Sequence, residues 1–185
     1  MNRILTPLVL IAAIAAVASA QGMKGGKKGP PLSPVAQASA TIDGKAITIK
    51  YSAPSLRGRM NIFEPGGRIS KDPTYPVWRA GANAATALHP GGTLEMKGLT
   101  VPPGDYTLYV FLDQGKWELI VNKQTGQWGT VYNKAEDLGR VPMTMSKPSA
   151  PVETYKISLT PEGRNHGKLT LAWAEVVASV PFTVK

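Results

Sequence analysis

The sequence predicts an all-β protein: a single antiparallel β-sandwich of jelly-roll or immunoglobulin-like type, built from about ten short strands. Three observations predict it. Apolar residues recur with a period of two in one short segment after another, Gly, Pro and Asp clusters separate those segments, and no stretch beyond residue 20 sustains a 3.6-residue apolar period.

The first element is an address rather than a fold. Arg3 precedes the apolar run from Leu8 to Val17, which ends in the small residues Ala18-Ser19-Ala20, so residues 1–20 read as a signal peptide cleaved after Ala20. Gln21-Gly22-Met23-Lys24 ends that run too early for a stable membrane span, and with no cysteine there is no lipid-acceptor residue. The expected product is exported, to periplasm or medium. Residues 21–32, rich in Gly, Lys and Pro, read as a flexible leader.

The sandwich is expected over residues 33–185. Asp43-Gly44 marks a hairpin turn between a strand over Val35 to Ile42 and one over Lys45 to Tyr51, where Ile47, Ile49 and Tyr51 share a face opposite Thr48 and Lys50. Further strands are expected over Ala84 to His89, Thr93 to Lys97, Asp105 to Leu112, Lys116 to Asn122, Arg140 to Ser146, Val152 to Thr160, Gly167 to Ala174 and Val177 to Val184. Trp117 lies on a face with Leu119 and Val121, and Trp173 with Leu169 and Leu171, which assigns both to the core. Two long irregular stretches, Ala53 to Ala82 and Lys123 to Gly139, interrupt the regular spacing. Sites in compact sandwiches sit on such loops.

Composition narrows the chemistry. A chain of 185 residues without cysteine has neither disulfides nor thiolate metal ligands, so an exported fold of this kind depends on apolar burial. The formal charge of +9 falls to +8 without Arg3 and to +5 without Lys24, Lys27 and Lys28. That moderate excess, with no aromatic-interleaved basic stripe, points away from nucleic acid and toward anionic envelope polymers. No nucleophile elbow, P-loop or dinucleotide glycine pattern is present, and His89 and His166 stand apart, so neither a catalytic residue, a metal nor a cofactor is assigned.

The candidate site residues are Arg57, Arg59, Trp78, Arg79 and Asn83 of the first long loop, joined by Trp128 and Tyr132 of the second. Guanidinium forks suit carboxylate, sulfate or phosphate, and tryptophan faces suit sugar rings or guanidinium planes. An anionic or glycan ligand fits this set. The same residues also serve as loop staples, Arg59 and Arg79 pairing with acidic residues, Asn83 bonding turn backbone and Trp78 filling a core edge. A carbohydrate-active hydrolase would instead draw on Glu64, Asp72, Glu136 and Asp137, at a separation only the fold can set. A third reading is a structural envelope or assembly protein with no small-ligand site. Oligomeric state is not encoded in any of these features.

Two blocks, Tyr51-Ser52-Ala53-Pro54-Ser55-Leu56-Arg57-Gly58-Arg59 and Val77-Trp78-Arg79-Ala80-Gly81-Ala82-Asn83-Ala84-Ala85-Thr86, resemble the bacterial domain-of-unknown-function family 2911. The likeness continues through Pro103-Gly104-Asp105-Tyr106-Thr107-Leu108, Trp117 to Asn122, Trp128-Gly129, Tyr132, Asp137 to Arg140 and Val152-Glu153, and so covers nearly all of Ser33 to Val184. Where many relatives approach the Trp through a Val-Pro-Tyr-Gly type segment, this chain has Ser70-Lys71-Asp72-Pro73-Thr74-Tyr75-Pro76. The resemblance implies a small exported β-rich protein and brings no activity with it.

Overall fold

The structure, a computed structural model, describes residues 31–185. The expected signal peptide and nearly all of the expected leader lie outside the described residues. The strands are β1 (Val35–Ile42), β2 (Lys45–Ser52), β3 (Val77–Trp78), β4 (Thr86–Pro90), β5 (Leu94–Met96), β6 (Leu99–Val101), β7 (Tyr106–Phe111), β8 (Glu118–Asn122), β9 (Asp137–Pro142), β10 (Thr144–Ser146), β11 (Val152–Pro161), β12 (His166–Ala174) and β13 (Val176–Val184). They form two antiparallel sheets, one ordered β1-β2-β4-β7-β8-β9 with β3 on β7, the other β11-β12-β13-β5-β6 with β10 on β13. The all-β sandwich that the sequence predicts is what the chain adopts.

Alternation explains which face of each strand is buried. Ile47 and Ile49 of β2, Leu108 and Val110 of β7, and Leu119 and Val121 of β8 meet Leu169, Leu171 and Trp173 of β12 and Ala178, Val180 and Phe182 of β13 in one core between the sheets. The first long loop closes one end of that core. Its Leu56, Ile62 and Ile69 are buried, and its Phe63 packs edge-on to Trp117 with ring centroids 4.7 Å apart. Trp78 stacks on Trp173 at 6.0 Å and meets Tyr155 at 5.0 Å. Both Trp117 and Trp173 are core residues, as their strand faces require.

Three details differ from the sequence expectation. The strand expected over Arg140 to Ser146 is two strands in different sheets: β9 pairs with β8, β10 with β13, and the chain changes sheets at Met143 after Pro142, which has no N–H to extend a ladder. The short strands β3 and β6 are additional. The first sheet is also covered on the outer side of β7 and β8, because residues 123–136 fold back over those strands. There Val77, Tyr109 and Ile120 form a second small cluster with Phe111 and Tyr132, and the Tyr109 hydroxyl donates to the Val131 carbonyl at 2.7 Å. Among the described residues no helix is long and apolar enough to cross a membrane.

Candidate functional site

The element Trp78-Arg79-Ala80-Gly81-Ala82-Asn83 is a self-capped turn. The Trp78 indole N–H donates to the Gly81 carbonyl at 3.1 Å, and the Thr86 hydroxyl to the Ala80 carbonyl at 2.8 Å. Ala80 (φ +49°) and Asn83 (φ +60°) both take left-handed backbone, which costs a residue with a Cβ roughly 1 to 2 kcal/mol. Arg79 leaves this turn and is caught by Asp72: Nη2 to Oδ2 is 2.7 Å, with both side chains about nine-tenths buried. Arg68 reaches the other oxygen of Asp72 at 3.4 Å from a side chain that is half exposed.

Arg57 is also held at positive φ (+53°), directly before Gly58 at +76°, in a turn closed by the Arg59 amide on the Leu56 carbonyl. The Arg57 amide donates to Glu153 Oε1 at 2.9 Å and its Nη2 to the Leu32 carbonyl at 3.0 Å. Arg59 donates Nε and Nη2 to the Leu56 and Ser55 carbonyls, both at 2.9 Å.

The second long loop docks beside these groups. The Ala85 amide donates to the Gln127 carbonyl and the Gly129 amide to the Asn83 carbonyl, which places Trp128 opposite Ala84 in an isolated β-bridge. Gly129 is there because nothing larger fits: a Cβ would run into Arg79 Cδ and lie 2.7 Å from the Asn83 carbonyl oxygen. Trp128 remains 56% exposed.

The two loops therefore converge on one open cleft of about 370 Å³. Of the seven residues singled out from the sequence, Arg57, Arg59, Arg79, Asn83 and Trp128 line it. Trp78 is fully buried and forms the packing beneath the cleft through its contact with Trp173, which does reach the lining. Tyr132 lies outside the lining, on the covered face of the first sheet. Its hydroxyl donates to Asp137 Oδ2 at 2.7 Å and accepts from Arg140 Nη2 at 2.8 Å, and burial, then the bond to Asp137, push its pKa up to about 12. Two charged lining residues escaped the sequence reading of the site: Arg68, and Asp72 in its role as the counter-ion.

Four guanidiniums and one carboxylate thus line the same cleft, two of the four guanidiniums in contact with the carboxylate. Each keeps N–H donors free of the hydrogen bonds just described, since a guanidinium has five. Among the described residues Asp72 is the lone carboxylate of the cleft lining, and it is already held by two arginines. Of the other loop carboxylates, Glu136 faces Lys123, Asp137 is bonded to Tyr132 and Asn122, and neither these nor Glu64 lines the cleft. Among the described residues no three His, Cys, Asp or Glu side chains are grouped to hold a metal ion.

The profile of the family described as "Protein of unknown function (DUF2911)" matches residues 33–182, which spans both sheets and the whole cleft apart from Leu32. No curated protein and no solved structure matches significantly.

Proposed function

Because the chain belongs to DUF2911, a family of unknown function, we propose from the cleft itself that it is a binding module for an anionic carbohydrate, a uronic-acid or sulfated glycan. The carrying observation is the convergence of two loops on an open cleft with four arginines, one carboxylate already engaged, and an exposed tryptophan on its rim. Guanidinium edges supply paired donors to a carboxylate or sulfate, and the Trp128 face supplies the apolar platform that a pyranose ring needs. The volume falls at the small end of ligand pockets, about 300 to 1,000 Å³, which suits one or two sugar rings. Arg57 adds support. A bulky residue is kept in left-handed backbone where glycine would fit, a cost that a ligand contact explains.

We further propose that the protein works outside the cytoplasm, on the strength of Arg3, the apolar run from Leu8 to Val17 and Ala18-Ser19-Ala20. N-terminal mass spectrometry of the exported protein tests this, with a mature terminus at Gln21 expected and retention of Met1 refuting it.

Titration calorimetry with oligogalacturonate, sulfated oligosaccharide and a neutral oligosaccharide tests the binding reading. Binding of at least one of the two anionic ligands is expected, weakening with salt, and absent for Trp128→Ala at unchanged melting temperature. Equal binding of the neutral sugar, or none of the anionic ones, refutes it.

A further inference from the structure

A second hollow of about 410 Å³ lies on the outer face of the first sheet. Its floor follows from register. Ile47 and Ile49 of β2 and Leu88 of β4 point into the core, so Thr48, Lys50, Ala87 and His89 point out, and Lys50 pairs with Ala87 and Thr48 with His89 across the two strands. His89 Nδ1 bonds Asp105 Oδ1 at 2.8 Å, leaving Nε2 as the ring's free polar edge. Among the described residues Lys50 has no carboxylate within 4.0 Å, although Asp105 lines the same hollow.

This hollow and the arginine cleft flank one short piece of chain. Thr125 lines the hollow, Trp128 lines the cleft, and between them the Gln127 carbonyl is fastened to the Ala85 amide at the start of β4. From Ala84, opposite Trp128, to His89 is five residues of nearly extended chain, or about 17 Å at the usual strand rise. The outward residues of that stretch are Ala85 and Ala87, and Ala87 is exposed beside Lys50 of β2.

We infer that the second hollow is a further subsite for the same ligand, which is therefore a chain rather than a single sugar. An anionic oligosaccharide enters at the arginine cleft, passes Trp128, and lies along β2 and β4 so that a later acidic unit meets Lys50 and a hydroxyl meets His89 Nε2. This inference rests on the binding reading above and adds length dependence to it. A ligand that fills only the cleft gains nothing from Lys50.

The experiment is calorimetric titration of the full mature protein with galacturonate dimer and hexamer, for the wild type, Lys50→Gln and His89→Ala. The hexamer is expected to bind wild type about tenfold more tightly than the dimer, as linked contacts raise effective concentration. Lys50→Gln is expected to weaken the hexamer roughly threefold to tenfold, the net worth of an ordinary solvent-exposed hydrogen bond, and to leave the dimer unchanged. Lys50 and His89 are surface strand residues, so melting temperatures should match and a folding defect will not imitate the result. Dimer and hexamer of equal affinity, or a hexamer indifferent to Lys50→Gln, overturns the second subsite while the cleft stands. Failure of both lengths to bind wild type overturns the uronate chain and this inference together, with the sulfated ligand left to decide the cleft.

Discussion

Arg79→Ala tests whether the cleft is held together from within. The Arg79–Asp72 contact is 2.7 Å between side chains about nine-tenths buried, so deleting the arginine strands a carboxylate in a poorly solvated place. Breaking such a pair costs about 3 to 5 kcal/mol. Arg68 stays 3.4 Å from the other oxygen and offsets part of that, which puts the expected loss near the lower limit, about 3 kcal/mol. For a domain of this size the melting temperature should fall by roughly 9 °C. Gly129→Ala attacks the same contact from the second loop, because the added methyl collides with Arg79 Cδ. It should cost about 2 kcal/mol, as overpacking does. The double variant should lose about 1 kcal/mol less than the two single losses together, since truncating Arg79 removes one of the atoms in the way. Denaturant melts with a common slope measure all three. A loss under about 1 kcal/mol for Arg79→Ala, or strict additivity with Gly129→Ala, would refute the idea that the Arg79–Asp72 pair fixes the wall on which Gly129 of the second loop packs.

Trp173→Ala should cost about 3 to 5 kcal/mol in the same melts, because the ring is 3% exposed and stacked on Trp78; a near-zero loss would place it at the surface. Arg57→Gly should leave stability within about 1 kcal/mol of wild type, relief of left-handed strain offsetting the added chain entropy, while weakening uronate or sulfate binding; unchanged binding would remove Arg57 from the ligand site. Tyr109, Tyr132 and Tyr155 all have raised pKa values, chiefly from burial, with Tyr132 at about 12. Their neutral forms favour the folded state, so their contribution is complete below the ordinary tyrosine value near 10 and is lost as pH climbs through the folded values. Ultraviolet titration of the folded protein at about pH 11 should therefore leave at least two of its six tyrosines un-ionised, and full ionisation before unfolding would contradict the burial.

The strands were legible wherever burial repeats every second residue, as at Ile47 and Ile49 or at Leu169, Leu171 and Trp173. The same signal misleads at Arg140 to Ser146. Val141 and Met143 are buried and Met145 packs against the core, so the alternation runs unbroken while the hydrogen-bonded neighbour changes from β8 to β13. Periodicity reports which side of a strand meets apolar surface and carries nothing about which strand lies beside it. A two-residue strand such as β3 has no period to read. Trp78 shows the complementary limit. It stands next to Arg79 in an irregular segment, and its burial depends on Phe63, Tyr155 and Trp173, brought to it from three other parts of the chain.

The cleft was legible as a set of residue types and illegible as a set of partners. Arg57, Arg59, Arg79, Asn83 and Trp128 could be named because guanidinium and indole groups in long loops are few and chemically pointed. Which arginine is tied down could not be named, since an aspartate seven residues from Arg79 and four from Arg68 has no spacing rule in an irregular loop. The fold divides the labour among them. Arg79 is committed to Asp72 and the Asn83 carbonyl, and Arg59 to two carbonyls of its own turn, so those two shape the walls. Arg57 spends one donor on the Leu32 carbonyl and Arg68 makes a single long contact from a half-exposed side chain. On the binding reading proposed above it is these two that would turn toward an incoming anion, and a ligand that drew Arg68 away would still leave Asp72 neutralised by Arg79. On that reading, an internal pair that does not depend on Arg68 would let the cleft exchange one contact for another without opening the first loop.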